Sequence, residues 1–244
     1  MVDAQPITRE APPLLGRSTA SQRWSHLAFL HWRVDSALVQ PLLPRGLTPD
    51  VFDGSSWVGL IPFVLDRATI AGSPPVPYFG SFVEVNVRLY AVDATGRRGV
   101  VFVSLEASRL AAVLAARAAF SLPYEWSSTR VAEDGGAWHY RARRHWTRDV
   151  GCDIHVTPSD VPVVTALGDF LTARWGLFTE RRGATLFLPN EHPSWELFEA
   201  RIDALDDTLL TVAGFDGIAD RAPDSVLWSP GVTTRFGQPL RVEQ

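Results

Sequence analysis

The chain has 244 residues, 46% of them hydrophobic, and a formal net charge of -4, so it can bury a core and has no global basic surface to attract nucleic acid. All 23 basic residues are arginine, which removes every side-chain amine from the available chemistry. The single Cys152 excludes an internal disulfide framework and points to a reducing, cytoplasmic compartment. No apolar run is long enough for a membrane span, and the start lacks a signal-peptide pattern.

Residues 1–20 are polar, hold Pro6, Pro12 and Pro13, and read as a flexible arm before one domain over 21–244. Gln22 to Asp35 is expected as an aromatic-rich strand. Its His26 and His31 fall on opposite faces, which makes them poor joint metal ligands. Ser36 to Leu43 predicts a short helix stopped by Pro44, and Ser56 to Val64 a strand whose Pro62 implies an edge or a bulge. Ala71 to Gly80, with three prolines, is expected as a loop whose Tyr78 and Phe79 could cover a pocket.

Phe82 to Ser128 organises the remainder. Val83, Val85, Val87 and Leu89 alternate with Glu84, Asn86, Arg88 and Tyr90, so a carboxylate, an amide, a guanidinium and a phenol share one strand face. Successive members stand roughly 6–7 Å apart. Such a row points either into water or into the mouth of a barrel. Asp93 to Gly99 is turn chemistry, and Val100 to Leu105 reads as a buried strand ending in Ser104-Leu105-Glu106. Ser108 is placed to cap a helix carrying Leu110, Val113, Leu114 and Arg117, and Pro123 then turns the chain into Tyr124 and Glu125.

Thr129 to Trp146 predicts two strands around Glu133-Asp134-Gly135-Gly136, the second presenting its arginines on a solvated face. A further strand is expected over Arg148 to Thr157, a helix over Thr165 to Arg174, and a hairpin around Arg181-Arg182-Gly183. Trp195 to Asp203 and Asp206 to Gly214 fit either helix or strand; a strand near Thr233 to Phe236 closes the chain. About ten strands with a few short helices argue for a β-rich α+β domain, in which closure into a barrel would remove exposed edges.

Standard chemical motifs are missing: no GxGxxG after a strand, no phosphate-binding loop, no CxxC, no HExxH and no Gly-x-Ser-x-Gly. Asp153 beside Cys152 raises the thiol pKa and makes it a poor nucleophile. No cofactor and no metal is expected.

Several blocks carry a resemblance: His31-Trp32, Leu43-Pro44 with Gly46-Leu47, Phe52-Asp53-Gly54 with Trp57, Glu84-Val85-Asn86-Val87-Arg88, Ala116-Arg117 with Leu122-Pro123-Tyr124, and Ser229-Pro230-Gly231-Val232. Over roughly residues 20–240 the chain resembles the YqjF-like family, a bacterial domain of unknown function grouped with the acetoacetate decarboxylase-like fold. That resemblance implies a closed, mainly antiparallel β-barrel with a central cavity and short outer helices. Acetoacetate decarboxylases follow a small-residue helix with a proline turn and two lysines; here Arg117 and Pro123 match that layout, while Tyr124 and Glu125 stand where the lysines would be. Imine-based decarboxylation is therefore excluded.

Two readings of different class follow. One is a lyase- or hydrolase-type enzyme acting on a small carboxylate- or carbonyl-bearing molecule. In it Arg88 and Arg117 anchor a carboxylate, Asn86 and Ser104 orient the substrate, and Tyr124 with Glu84 or Glu106 exchanges protons. The other is a non-catalytic binding protein using the same cavity. A purely structural reading makes Glu84, Arg88 and Glu106 a buried ion-pair network. The expected partner is a small molecule, with no nucleic acid and no membrane, and with room for a homodimer.

Overall fold

Long runs of β-branched and aromatic residues broken by Gly- and Asp-rich turns give a chain dominated by strands. The computed structural model describes residues 3–70 and 81–243. In chain order its elements are β1 (Ala20–Val34), α1 (Ser36–Val39), β2 (Leu47–Pro49), β3 (Ser56–Ile70), β4 (Phe82–Asp93), β5 (Arg98–Ala107), α2 (Leu110–Phe120), β6 (Tyr124–Asp134), β7 (Ala137–Arg144), β8 (Gly151–Pro162), α3 (Ala166–Thr172), β9 (Gly176–Arg181), β10 (Ala184–Glu191), β11 (Phe198–Asp207), α4 (Leu209–Val212), β12 (Ser225–Phe236) and β13 (Leu240–Arg241). The expected loop over 71–80, with Tyr78 and Phe79, lies outside the described residues.

Among the described residues all thirteen strands belong to one sheet, and only the β5–β6 and β5–β9 pairings are parallel. The chain is thus a β-rich α+β fold, mainly antiparallel. The ladders branch at several strands, and the branches on β5 and β12 frame the site. The Val100–Val101 end of β5 pairs with β9 and its Leu105–Ala107 end with β6, while its other edge carries β4. On β12, Leu227 and Trp228 face β11, Asn190 and Glu191 of β10 meet its far end, and β1 runs along the opposite edge. The parallel β5–β6 pair needs a crossover, and α2 supplies it.

Alternation on β4 does what its sequence implies. Val85, Val87, Leu89 and Ala91 enter the main hydrophobic core with Leu30, Trp32, Tyr140 and Ile154, and Tyr90 joins a separate cluster with Trp57 and Phe170. On β7, Trp138, Tyr140 and Ala142 point into the core, leaving Arg141 and Arg143 outside.

Several boundaries differ from expectation for identifiable reasons. The helix expected over Ser36 to Leu43 is α-helical only to Val39, and Asp35 caps it, its carboxylate accepting from Ala37 N at 2.8 Å. Ser108 does not cap α2; the residue at that position is Arg109, with no side-chain cap bond. Trp195 to Asp203 resolves into β11, starting only at Phe198 and paired with β8. Pro62 sits in a strand paired on both sides, and it is tolerated because the β1–β3 register shifts between the Ser25/Val64 and Leu30/Leu60 pairs. That irregularity is the expected bulge.

The N-terminal arm, expected to be flexible, has no regular structure over residues 3–19 but is tied to the sheet. Gln5 N donates to Gly96 O at 2.7 Å, Trp175 Nε1 to Thr8 O at 3.0 Å, and Leu14 N to a Glu191 carboxylate oxygen at 3.0 Å. A Cβ at Gly96 would lie 2.4 Å from Asp3 O, so the turn after β4 requires glycine for this approach as well as for its positive φ.

Candidate active site

A cavity of about 270 Å³ opens where the ladders branch. Its polar lining includes Glu84, Asn86, Arg88, Tyr124, Arg174 and His192, and its walls include Trp24, Phe63, Leu105, Leu122 and Trp195. The polar row read from β4 therefore faces the cavity rather than water.

Burial raises the Glu84 carboxyl to about 7, against hydrogen bonds from Tyr124 and Asn86 that hold it lower. The Tyr124 hydroxyl donates to Glu84 Oε2 at 2.8 Å. Burial, then the Glu84 charge, push the phenol well above its usual value, so near neutrality it remains a proton donor. This hydroxyl reaches Glu84 because Pro123 and the left-handed Ser121 end α2 and turn the chain into the parallel β5–β6 pair. Asn86 is buried, and its Oδ1 has no partner.

A cationic end is built around Tyr90. Arg88 Nε donates to the Tyr90 hydroxyl at 2.9 Å and Arg88 Nη2 to Leu171 O at 2.9 Å. His31 Nε2 lies 2.6 Å from the same hydroxyl. Burial, reinforced by Arg88 and Arg174, holds His31 well below its ordinary pKa, so it is neutral there. Arg174 stands over the Tyr90 ring at 4.7 Å and the Phe170 ring at 4.3 Å. It donates Nε to Phe170 O at 2.7 Å and pairs Nη1 with Asp50 at 2.5 Å, while Nη2 is buried with no partner. Asp50 also serves Arg98. One carboxylate thus balances two guanidinium groups, and Arg88 has no carboxylate partner among the described residues. The cavity wall carries uncompensated positive charge.

Glu84, Asn86, Arg88 and Tyr124 are brought together; the other expected site residues are not. Ser104 and Glu106 would share the Glu84 face if β4 and β5 kept one register. Instead Arg88 pairs with Phe102 and Val87 with Ser104, so Val103 is an extra residue and every later side chain on β5 changes face. Phe102 and Leu105 line the cavity as a result. Glu106 points to the other side, where Arg144 Nη2 meets it at 2.7 Å and Ser127 Oγ donates at 2.6 Å. Ser104 Oγ is buried without a partner, away from the cavity. Arg117 is exposed; its Nη2 pairs with Glu125 at 2.8 Å and its Nε donates to Tyr124 O, so it braces the turn rather than facing the cavity.

Arg174, Asp50, His31 and His192 were not singled out as site residues from sequence. His31 lay in one of the blocks that carry the resemblance, and Gly59 also signals it: it sits opposite His31 in a strand, and a Cβ there would lie 2.8 Å from His31 Nε2. Among the described residues one group has metal-ligand composition, His139, Asp153 and His155 on the outer face of β7 and β8. There both imidazoles approach Asp153 Oδ1, at 2.6 and 3.2 Å, and Arg141 takes Oδ2 at 2.7 Å, which makes it an ion-pair cluster rather than an open cation site.

Comparison with known proteins agrees with this architecture. The protein YqjF of Bacillus subtilis (strain 168) is 30% identical over 196 residues, 79% of this chain and 81% of that one. An acetoacetate decarboxylase-like enzyme from Sphingomonas wittichii RW1 matches with a TM-score of 0.64 at 16% identity, over 93% of this chain and 94% of the other. The acetoacetate decarboxylase of Legionella pneumophila matches with 0.64 at 12% identity, over 96% and 92%. The enduracididine biosynthesis enzyme MppR, complexed with the condensation product of pyruvate and imidazole 4-carboxaldehyde, matches with 0.60 at 13% identity, over 92% and 90%. These structural likenesses identify an acetoacetate decarboxylase-like fold. A family model described as an uncharacterized conserved protein, DUF2071, matches residues 21–233, and the chain belongs to that family.

Proposed function

We propose that this protein is an enzyme that moves a proton on a small carboxylate-bearing carbonyl compound held in the cavity, and that the two branches of the sheet act as a closed barrel around it. The observation that carries the reading is the Glu84–Tyr124 pair, with its carboxyl raised to about 7, in a cavity that also holds Arg88 and the unpartnered Arg174 Nη2. Arg174 and Arg88 take the substrate carboxylate. Glu84 as carboxylate removes a proton from the carbon beside the carbonyl, and the electron pair moves to the carbonyl oxygen as an enolate. Tyr124 donates its hydrogen bond to Glu84 and so tunes the base. Returning the proton completes an exchange, and expelling a β-substituent instead gives a lyase reaction. Support by analogy comes from the MppR complex, whose ligand derives from pyruvate. With no lysine in the chain, no side chain forms an imine, and borohydride trapping with keto acids leaves every side chain unmodified.

The test is hydrogen exchange into pyruvate and acetoacetate in D₂O, followed by proton NMR. The expected result is enzyme-dependent loss of the protons next to the carbonyl, with a rate that rises with pH through about 7 as Glu84 ionises. Keto acids that bind without exchanging protons, in the parent as in Glu84→Gln, would make the protein a binding module instead.

A further inference from the structure

We infer that the cavity contains a second subsite, built around Trp24, that holds a flat heteroaromatic group carried by the same ligand whose carboxylate meets Arg174 and Arg88. This rests on the carboxylate reading above and extends it to the rest of the substrate.

Four aromatic rings surround Trp24: Phe63 at 6.1 Å, His192 at 6.1 Å, Trp195 at 6.3 Å and Phe236 at 6.1 Å between centroids. Three cross the Trp24 ring at 62–73°, and Trp195 lies within 9° of parallel to it. All five line the cavity. Edge and face orientations of this kind are those in which aromatic rings attract one another. A box of them in a cavity wall offers the same contacts to a ring entering it.

The box is not purely apolar. Trp24 Nε1 is buried with no hydrogen-bond partner, and so is Oδ1 of the buried Asn190, which also lines the cavity. Buried polar groups are nearly always satisfied, so two orphans on one wall mark where a ligand supplies the missing atoms. Trp24 Nε1 calls for an acceptor and Asn190 Oδ1 for a donor. His192 lies between the two ends. Its Nδ1 is 2.7 Å from Pro193 O, and burial, with Arg88 adding, depresses it to about 4, so it meets the ligand as a neutral ring. Neither orphan is hydrogen-bonded to the Glu84–Tyr124 pair, so both are open to a ligand larger than a three-carbon keto acid. Cavity size agrees: about 270 Å³ is room for about nine waters at about 30 Å³ each, more than such an acid fills.

Isothermal titration of pyruvate, phenylpyruvate and imidazolylpyruvate tests this on the full chain. The expected order is phenylpyruvate about 10- to 100-fold tighter than pyruvate, and imidazolylpyruvate about tenfold tighter again because its ring nitrogens supply an acceptor and a donor. Trp24→Phe keeps a ring in the box and removes Nε1 together with part of the indole surface, so the imidazolyl increment is read against phenylpyruvate in the same variant. It should erase the imidazolyl increment while leaving pyruvate affinity unchanged, and that pyruvate signal also reports that the variant is folded. Pyruvate binding as tightly as the aromatic acids overturns the subsite and leaves the carboxylate reading standing. An imidazolyl increment that survives in Trp24→Phe overturns the role of Trp24. Failure of all three acids to bind removes both.

Discussion

At the scale of single residues, Glu84 links stability to chemistry. Its carboxyl titrates near 7 in the fold and near 4.5 when unfolded, because burial disfavours the charge. Between those values the folded chain holds a proton that the unfolded chain has released. Stability from this group is therefore complete below about 4.5 and lost as pH rises through 7. Above 7 the buried charge costs on the order of 3 kcal/mol. Glu84→Gln keeps the shape and removes that cost, so its melting temperature should gain on the parent between pH 5 and pH 8; a constant difference across that range would contradict the burial argument. Asp207, also raised by burial to about 7, keeps its own slope in both proteins and cancels in the comparison. Tyr124→Phe probes the same pair from the other side. Losing the bond that lowers the Glu84 pKa should move the midpoint of the exchange profile upward and slow exchange at pH values below the new midpoint, where less of Glu84 is ionised. An unchanged profile would take Tyr124 out of the mechanism.

At the scale of elements, β4 was legible and β5 was not. Period-two alternation in Val83 to Tyr90 was enough to place Glu84, Asn86 and Arg88 on one face, because both faces of β4 are buried and a slip would put valines in the cavity. Ser104 and Glu106 read as part of the same face, but one extra residue at Val103 turned them away. A bulge in an unbroken apolar run leaves no mark in the sequence, since Val101, Phe102 and Val103 suit either side. Arg174 was equally invisible: it follows α3 with no periodicity of its own, and Asp50, its partner, is 124 residues distant. Gly59 was a visible signal. Its missing Cβ lets β1 and β3 bring His31 against Tyr90, with a clearance of only 2.8 Å to Nε2. Gly59→Ala should cost about 1–3 kcal/mol through overpacking. Because His31 and Arg88 share the Tyr90 hydroxyl, it should also weaken carboxylate binding. Full melting temperature with weakened binding would show that the ring yields and passes the displacement to Arg88; no change in either would mean that the contact is slack.

At the scale of the whole molecule, the two sides of β5 divide chemistry from structure. On the cavity side, polar groups are left with open hydrogen-bonding positions, Arg174 Nη2 and Asn86 Oδ1, beside a Glu84 carboxyl that accepts from Tyr124 and Asn86. On the other side, Glu106 is fully buried and closed off, holding Arg144 through both oxygens and accepting from Ser127. Those bonds tie β5 to β6 and β7 at the point where the ladders branch, where only three backbone pairs join β5 to β6. Truncating one member of a buried pair leaves the other charge uncompensated, which typically costs 3–5 kcal/mol. Arg144 keeps some solvent contact, so Glu106→Ala should fall at or below the low end, about 3 kcal/mol. Replacing both residues by Glu106→Leu with Arg144→Met should recover much of that loss, because no charge is left stranded. The affinity for a keto acid and the pH midpoint of exchange should be the same in the parent and in both variants, since Glu106 stands on the far side of the strand from Glu84. Chemical denaturation measures the first effect and titration calorimetry the second. If Glu106→Ala lost ligand binding while keeping its stability, Glu106 would belong to the site and the division across β5 would be wrong.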